Sequence, residues 1–236
     1  MKDNATPASP AIPAIAVIVP AAGIGKRMQA ERPKQYLVLH NKTILEHSLA
    51  RLQQVPTLSK IWLALAEDDP YFADINFDQS QIVTTKGGTE RMHSVLNALQ
   101  QIEPYKYPWV LVHDAARPVV RQADIELLIE RCITTGDGGV LACRVRDTMK
   151  RGELTVAHTV SREHLWHALT PQLFPTALLK AALEDAIQAG VYVTDEASAM
   201  EWAGHPVLLV EGHSDNIKIT QPTDLALAAF YLEQLI

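Results

Sequence analysis

Apolar residues along the chain fall into two alternating rhythms. Short, continuously apolar runs occupy 16–19, 61–66, 109–112 and 139–143, with a shorter one at 82–83. A run that is apolar at every position reads as a strand covered on both faces. Between these runs, apolar residues recur every three or four positions. Ile44, Leu45, Leu49 and Leu52 do so within 43–54, and Val95, Leu96 and Leu99 within 90–101. Ile125, Leu128, Ile129 and Cys132 repeat the pattern after Arg121. Such stretches are one-faced helices, and Thr43 and Glu46 have the spacing of a capping box. Repeated β-α-β units predict an α/β fold with a mostly parallel sheet and helices on both faces. Polar clusters follow Val19, Val83 and Val112, at the strand ends where such sheets hold ligands.

The rhythm breaks at 145–161. A turn containing Gly152 separates alternating residues there, which is a hairpin signal. The segment has too few large apolar residues to bury itself, so it should pack against something else, such as a second subunit. Beyond it the pattern gives helices at 176–189 and 194–202 and strands at 207–210 and 217–220. A closing helix carries Pro222 in its first turn. Residues 1–14 are rich in Pro, Ala and Ser and lack a basic signal-peptide start. They are expected to form a flexible tail, with 15–236 making a single domain.

Composition narrows the function. Of 236 residues, 47% are hydrophobic and 20% charged, the balance of a globular protein rather than a disordered one. Lysine and arginine number 21 against 27 acids, a net charge of -6. That argues against nucleic acid as a partner, since such proteins carry a basic footprint, but it leaves room for one local basic pocket. Cys132 and Cys143 form no CxxC pair, so a disulfide framework is not expected and a reducing cytoplasm fits. The apolar run at 11–25 is broken by Pro13, Pro20, Gly23 and Gly25, which excludes it as a membrane span.

The densest chemistry follows the first strand, in Pro20-Ala21-Ala22-Gly23-Ile24-Gly25-Lys26-Arg27-Met28. A dinucleotide fingerprint needs a third glycine where Met28 stands. A Walker A loop needs glycine at Pro20 and a hydroxyl at Arg27. What remains is a tight turn of exposed N–H groups with Lys26, Arg27 and Lys34 nearby. That is either an anion nest or a glycine turn followed by solvated cations. Other polar features have simpler readings. His164 and His167 lack a third metal ligand, and His113 at a strand end suits packing or hydrogen bonding. Glu67-Asp68-Asp69-Pro70 reads as a solvated turn, Asp195-Glu196 as acids at a helix start, and both cysteines as core thiols.

Further segments occur in a fixed order. They are Pro33-Lys34-Gln35-Tyr36, Gly87-Gly88-x-x-Arg91-x-x-Ser94, His113-Asp114-Ala115-Ala116-Arg117-Pro118 and Asp147-Thr148. Leu169-Thr170-Pro171-Gln172, Thr194-Asp195-Glu196-Ala197-Ser198 and Asp215-Asn216-Ile217-Lys218-Ile219-Thr220 follow. With the opening turn, this set closely resembles the 2-C-methyl-D-erythritol 4-phosphate cytidylyltransferases over about 15–236. The resemblance implies a Rossmann-like nucleotidyltransferase fold with a protruding β-arm at about 145–161 that builds a homodimer. It implies CTP and 2-C-methyl-D-erythritol 4-phosphate as substrates, with Mg²⁺ or another divalent cation.

By the same resemblance Arg27 and Lys34 are catalytic, stabilising charge at the α-phosphate. Ala21, Ala22, Gly23, Gly25, Lys26, Gly88, Thr89, Ser94 and Ala115 would hold the nucleotide. Asp114, Arg117, Thr148, Arg162, Thr170 and Lys218 would meet the acceptor. Mg²⁺ would sit mainly on phosphate oxygens, with Asp114 and Asp215 as its protein candidates. Two other readings stay open: another polyol phosphate such as ribitol 5-phosphate as acceptor, or a nucleotide-binding regulatory module without turnover. Cations matching both reacting partners, at Arg27, Lys34 and Lys218, argue against the pure binder.

Overall fold

The computed structural model describes residues 12–23, 28 and 32–235. Its first strand, β1 (Ile15–Pro20), is apolar on both sides. Ile15, Val17 and Val19 enter one core cluster, and Ala16 and Ile18 the opposite one. Side chains alternate across a strand, so a continuous apolar run buries both faces of a central strand. A small hairpin follows, β2 (Val38–Leu39) and β3 (Lys42–Thr43). His40 and Asn41 at its tip take φ of 46° and 66°, as tight two-residue hairpin turns require. The apolar pattern did not announce this pair.

Helix α1 (Ile44–Gln53) starts at the expected capping box, in which Thr43 N donates to Glu46 at 2.5 Å and Glu46 N to Thr43 Oγ1 at 3.2 Å. Then come β4 (Leu58–Leu65), β5 (Ile82–Lys86), α2 (Arg91–Leu99) and β6 (Trp109–Val112). Helix α3 (Gln122–Thr135) ends at Gly136, whose φ of 79° makes the left-handed cap that glycine adopts without strain. The chain continues through β7 (Gly138–Arg144), β8 (Met149–Gly152), β9 (Val156–Val160), β10 (Trp166–Pro175), α4 (Thr176–Gln188), α5 (Glu196–Trp202), β11 (Val207–Glu211) and α6 (Thr223–Gln234).

Seven strands form one sheet in the order β11-β7-β10-β6-β1-β4-β5. Every pairing is parallel except those of β10, which runs antiparallel to β6 and β7. One face packs on α1 and α3 through Leu45, Leu49, Ile125 and Leu128. The other packs on α2, α4 and α5 through Val95, Leu99, Leu183 and Met200. A third cluster seats Ala228 and Leu232 of α6 against Ile44, Val119 and Ile219. Among the described residues no helix is long and apolar enough to cross a membrane.

Three local expectations need correction. Strand β10 was not foreseen, because Thr170, Pro171 and Gln172 interrupt its apolar run. The ladder shifts register between Ala168 and Gln172, so the proline sits where no regular ladder bond is needed. Residues 217–220 are not a strand; instead of a ladder, the segment makes one backbone–backbone bond to the loop after β6, Ile219 N to Ala116 O at 2.9 Å. Pro222 is the N-cap of α6 rather than part of its first turn. The Asp224 carboxylate accepts from Thr220 N and Gln221 N there. At 145–161 the chain does form a hairpin, in which β8 and β9 make a separate two-stranded sheet with Leu154 and Val156 exposed.

The β7–β10 contact leaves no space at Gly138. A Cβ there would lie 2.0 Å from Cδ1 of the fully buried Phe174. Gly138→Ala is therefore expected to cost about 1–3 kcal/mol through overpacking, read as a lowered urea midpoint with unchanged slope.

Candidate active site

From β1 the sheet grows toward β4 and β5, and the chain then returns to place β6 on the other side of β1. That reversal opens a crevice beyond the carboxyl ends of the two strands. Ala21 to Gly23 leave β1 on one side of it, and His113 and Asp114 leave β6 on the other. A cavity of about 260 Å³ fills the space. Lys34 and all seven described residues assigned to the nucleotide line it: Ala21, Ala22, Gly23, Gly88, Thr89, Ser94 and Ala115. Gly25, Lys26 and Arg27 lie outside the described residues.

Neighbouring side chains hold these walls in register. The buried Gln35 Nε2 donates to Ala21 O at 2.6 Å, tying the Pro33–Tyr36 turn to the loop after β1. Lys34 Nζ donates to Ile219 O at 2.9 Å. Tyr36 OH donates to Asp69 at 2.7 Å, and Asp69 also accepts from Tyr71 N and Phe72 N. Asp69 is thus a structural anchor rather than part of a solvated turn. The double glycine has an internal reason. A Cβ on Gly87 would lie 2.2 Å from the Ala22 Cβ, and one on Gly88 2.2 Å from the His93 Cβ. Gly88 N donates to Ser94 Oγ at 2.9 Å, while that hydroxyl donates to Glu90 O at 3.3 Å. Ser94 shapes the glycine loop, and its proton is already committed there.

A second cavity of about 190 Å³ adjoins the first and shares Arg91, Asp114 and Lys218 with it. Arg117, Ala168, Leu169, Thr170, Gln172, Thr194 and Asp195 complete its lining. Asp114 stands in the common wall. Arg91 Nε lies 3.0 Å from its Oδ1, Lys218 Nζ 2.8 Å from its Oδ2, and Arg117 Nε 3.5 Å from Oδ2. Burial alone would raise the Asp114 carboxyl, but Arg91, Lys218 and Arg117 outweigh it and hold it well below the usual carboxylate range.

Behind the wall, Arg91 Nη1 donates at 2.6 Å to Glu196, which is buried at the start of α5. Burial raises the Glu196 carboxyl, against the pull of Arg91. This adds an ion pair to the reading of Glu196 as an acid placed by the helix dipole, while Asp195 caps the helix, accepting from Ser198 N at 2.9 Å.

Thr170 is anchored equally firmly. Its Oγ1 accepts from Asp114 N at 3.0 Å and lies 3.1 Å from His113 Nδ1. His113 Nε2 lies 3.0 Å from Arg117 O, a carbonyl that can only accept, so Nε2 carries the proton. Burial pushes the His113 pKa down to about 4, keeping the ring neutral. Its Nδ1 therefore accepts, and the Thr170 hydroxyl donates to it.

Comparison with known proteins identifies the family. The family model described as 2-C-methyl-D-erythritol 4-phosphate cytidylyltransferase matches residues 15–234. The chain belongs to that cytidylyltransferase family. Curated relatives of that name include one from Vibrio vulnificus strain YJ016, 54% identical over 225 residues, covering 93% of this chain and 95% of the relative. Another, from Colwellia psychrerythraea, is 53% identical over 229 residues, covering 92% and 94%. The crystal structure of the Francisella tularensis 2-C-methyl-D-erythritol 4-phosphate cytidylyltransferase aligns with a TM-score of 0.81 at 37% identity, covering 92% of this chain and 99% of that one. The Thermus thermophilus structure of the same name aligns with a TM-score of 0.78 at 32% identity, covering 92% and 98%.

Within this cytidylyltransferase chain, the structure gathers four of the six acceptor candidates, Asp114, Arg117, Thr170 and Lys218, around the second cavity. Thr148 and Arg162 are exposed beside the β8–β9 hairpin and line neither cavity. Arg162 Nη1 instead donates to Arg146 O. Asp215 also lies away from both cavities, paired with Arg121. Asp114 meets cations of the chain through both oxygens, whereas Asp215 meets Arg121 through Oδ2 alone and keeps a buried Oδ1 without a hydrogen-bond partner. Among the described residues no three Asp, Glu, His or Cys side chains are grouped to hold a metal ion.

Gln35, Arg91, Gln172, Thr194 and Glu196 were not assigned to the site. Each lay inside a quoted motif, which was the only signal available for them. Replacing Thr170 with Val would leave Asp114 N–H and His113 Nδ1 without partners, each buried. It should cost about 1–3 kcal/mol in urea unfolding and reduce turnover, whereas Thr170→Ser should keep both.

Proposed function

We propose that this chain carries out its family's transfer in non-mevalonate isoprenoid biosynthesis, with the larger cavity holding CTP and the smaller the acceptor. A phosphate oxygen of 2-C-methyl-D-erythritol 4-phosphate attacks the α-phosphorus of CTP. One P–O bond forms, the bond from the α- to the β-phosphate breaks, and pyrophosphate leaves with 4-diphosphocytidyl-2-C-methyl-D-erythritol as product. The observation that carries this reading is the cationic wall common to both cavities, formed by Arg91, Lys218 and Asp114.

The chemistry needs such a wall more than it needs a base. A phosphate monoester has its second pKa near 6, so at pH 7 the nucleophile is already close to dianionic. Its difficulty is approaching another polyanion, which positioning and fixed positive charge relieve. Lys34, lining the nucleotide cavity, and Arg27 stabilise the charge that builds on the α-phosphate. A guanidinium suits that task, because its planar fork makes two parallel bonds that an ammonium cannot. The magnesium ion arrives with CTP as part of the substrate, resting on phosphate oxygens and water.

The hairpin at 145–161 serves as a dimer arm and carries Thr148 and Arg162 to the acceptor cavity of a neighbouring subunit. Support comes from their distance from this chain's own cavities and from Leu154 and Val156, exposed with no core of their own. Both cysteines are free thiols, and burial pushes Cys132 up to about 12, which suits a reducing cytoplasm.

Pyrophosphate release with CTP and a panel of polyol phosphates tests the assignment. Methylerythritol phosphate should be the preferred acceptor. Release with ribitol 5-phosphate alone would move the enzyme to another substrate, and no release with any acceptor would favour a binding module. Lys34→Ala should lower kcat by on the order of a hundredfold, as losing one oxyanion donor does; full activity would remove Lys34 from the mechanism. Specific activity should fall on dilution in step with dissociation seen by sizing, and a fully active monomer would contradict the arm's role.

A further inference from the structure

We infer that Arg91, anchored by Glu196, is a positioning residue that sets the orientation of the Asp114 carboxylate and thereby keeps Arg117 available to the acceptor. The inference rests on the cytidylyl-transfer reading above and adds a role that the family resemblance left unassigned. Asp114 has two oxygens and three cations around it. Arg91 Nε takes Oδ1 at 3.0 Å and Lys218 Nζ takes Oδ2 at 2.8 Å. With the carboxylate fixed from both ends, Arg117 Nε stays 3.5 Å from Oδ2 and has no hydrogen-bond partner, although it is buried.

A buried guanidinium N–H without an acceptor is costly unless a ligand completes it. Arg117 lines the acceptor cavity, and its Nη1 is held by Asn216 O at 2.6 Å. Nη1 of that side chain is therefore fixed, while its Nε is buried and makes no hydrogen bond. If Asp114 turned by a fraction of an ångström, that donor would close on Oδ2. The acceptor's phosphate would then compete with a hydrogen bond to Asp114 in addition to the ion pair already present. Arg91 prevents the turn, and it does so because Glu196 holds its other nitrogen at 2.6 Å. The guanidinium is a rigid strut between two carboxylates, one from the strand end after β6 and one from the start of α5. Lysine could not span them, since it offers a single point charge.

The test compares Arg91→Lys, Glu196→Gln and the double variant with wild-type enzyme, measuring kcat, both KM values and thermal melting. Arg91→Lys should raise KM for methylerythritol phosphate by about tenfold or more, the scale of a small misplacement in a preorganised site. KM for CTP should change by less than about threefold. Glu196→Gln, nearly isosteric, should move the same parameter in the same direction. If Glu196 acts through Arg91, the double variant should be no worse than Arg91→Lys alone.

Additive effects, or both KM values rising together, would overturn the inference. So would a folded Glu196→Gln enzyme with unchanged acceptor KM. A Glu196→Gln chain that fails to fold overturns it as well, because the pair would then hold the fold rather than the carboxylate. Wild-type enzyme that releases no pyrophosphate with methylerythritol phosphate sinks the functional reading itself; active wild type with unaffected variants sinks only the role of Arg91.

Discussion

One carboxylate surrounded by three cations is the constraint around which this site is built. Asp114 sits at the carboxyl end of a central strand, almost wholly buried, where an unpaired charge would be prohibitive. Arg91, Arg117 and Lys218 compensate it, while Glu196 compensates Arg91 from behind. Three cations against two carboxylates leave the wall net positive. That local surplus reconciles an acidic chain, at a net charge of -6, with two polyanionic substrates. Long-range attraction is not required when the charge is concentrated where the phosphates meet and is partly shielded from water.

The fold supplies the position of this wall. Parallel strands β1 and β6 lie side by side at the reversal in strand order, so the loops after both open on one crevice. The loop after β1 is fixed by Gln35 on Ala21 O and by Gly87 packed against Ala22. The loop after β6 is fixed by the chain of contacts from Asp114 N through Thr170 and His113 to Arg117 O. Hydroxyls assigned to the ligands from the sequence, those of Ser94 and Thr170, spend their protons on this framework.

Legibility in the sequence followed the physics of burial. Strands buried on both faces and helices with one apolar stripe were evident, because periodicity reports burial directly. Strand β10 was hidden because its centre carries Thr170, Pro171 and Gln172, which serve the site and interrupt the ladder. The alternation at 217–220 mimicked a strand, yet Lys218 turns to Asp114 and Ile219 to the α6 cluster without a partner strand. Lys34 and Gly88, which line the larger cavity, were readable through motifs. Glu196 was not, since an acid at a helix start already has a local explanation; only its burial against Arg91, a residue 105 positions away in sequence, reveals the second role. Thr148 and Arg162 were assigned with the same motifs, yet neither lines a cavity of this chain.

The reversed direction of β10 explains why two cavities adjoin rather than one. Parallel strands present their carboxyl ends to the crevice, but an antiparallel neighbour presents the start of its own run there. Gln172 pairs with Val112 and Trp166 with Arg144, so Thr170 arrives beside Asp114 at the upper edge of the sheet. Gln172 then reaches α5, donating to Asp195 at 2.8 Å and accepting from Ala197 N at 2.8 Å. On the proposed reading, the acceptor half thus draws on β10 and on Thr194 and Asp195 just before α5, and the nucleotide half on the loops after β1, β5 and β6. Only Arg91, Asp114 and Lys218 belong to both. On such a scaffold the acceptor pocket can change shape without moving the nucleotide loops, provided the shared residues keep their geometry. That requirement places the strongest constraint on the wall between the substrates, rather than on either pocket's lining.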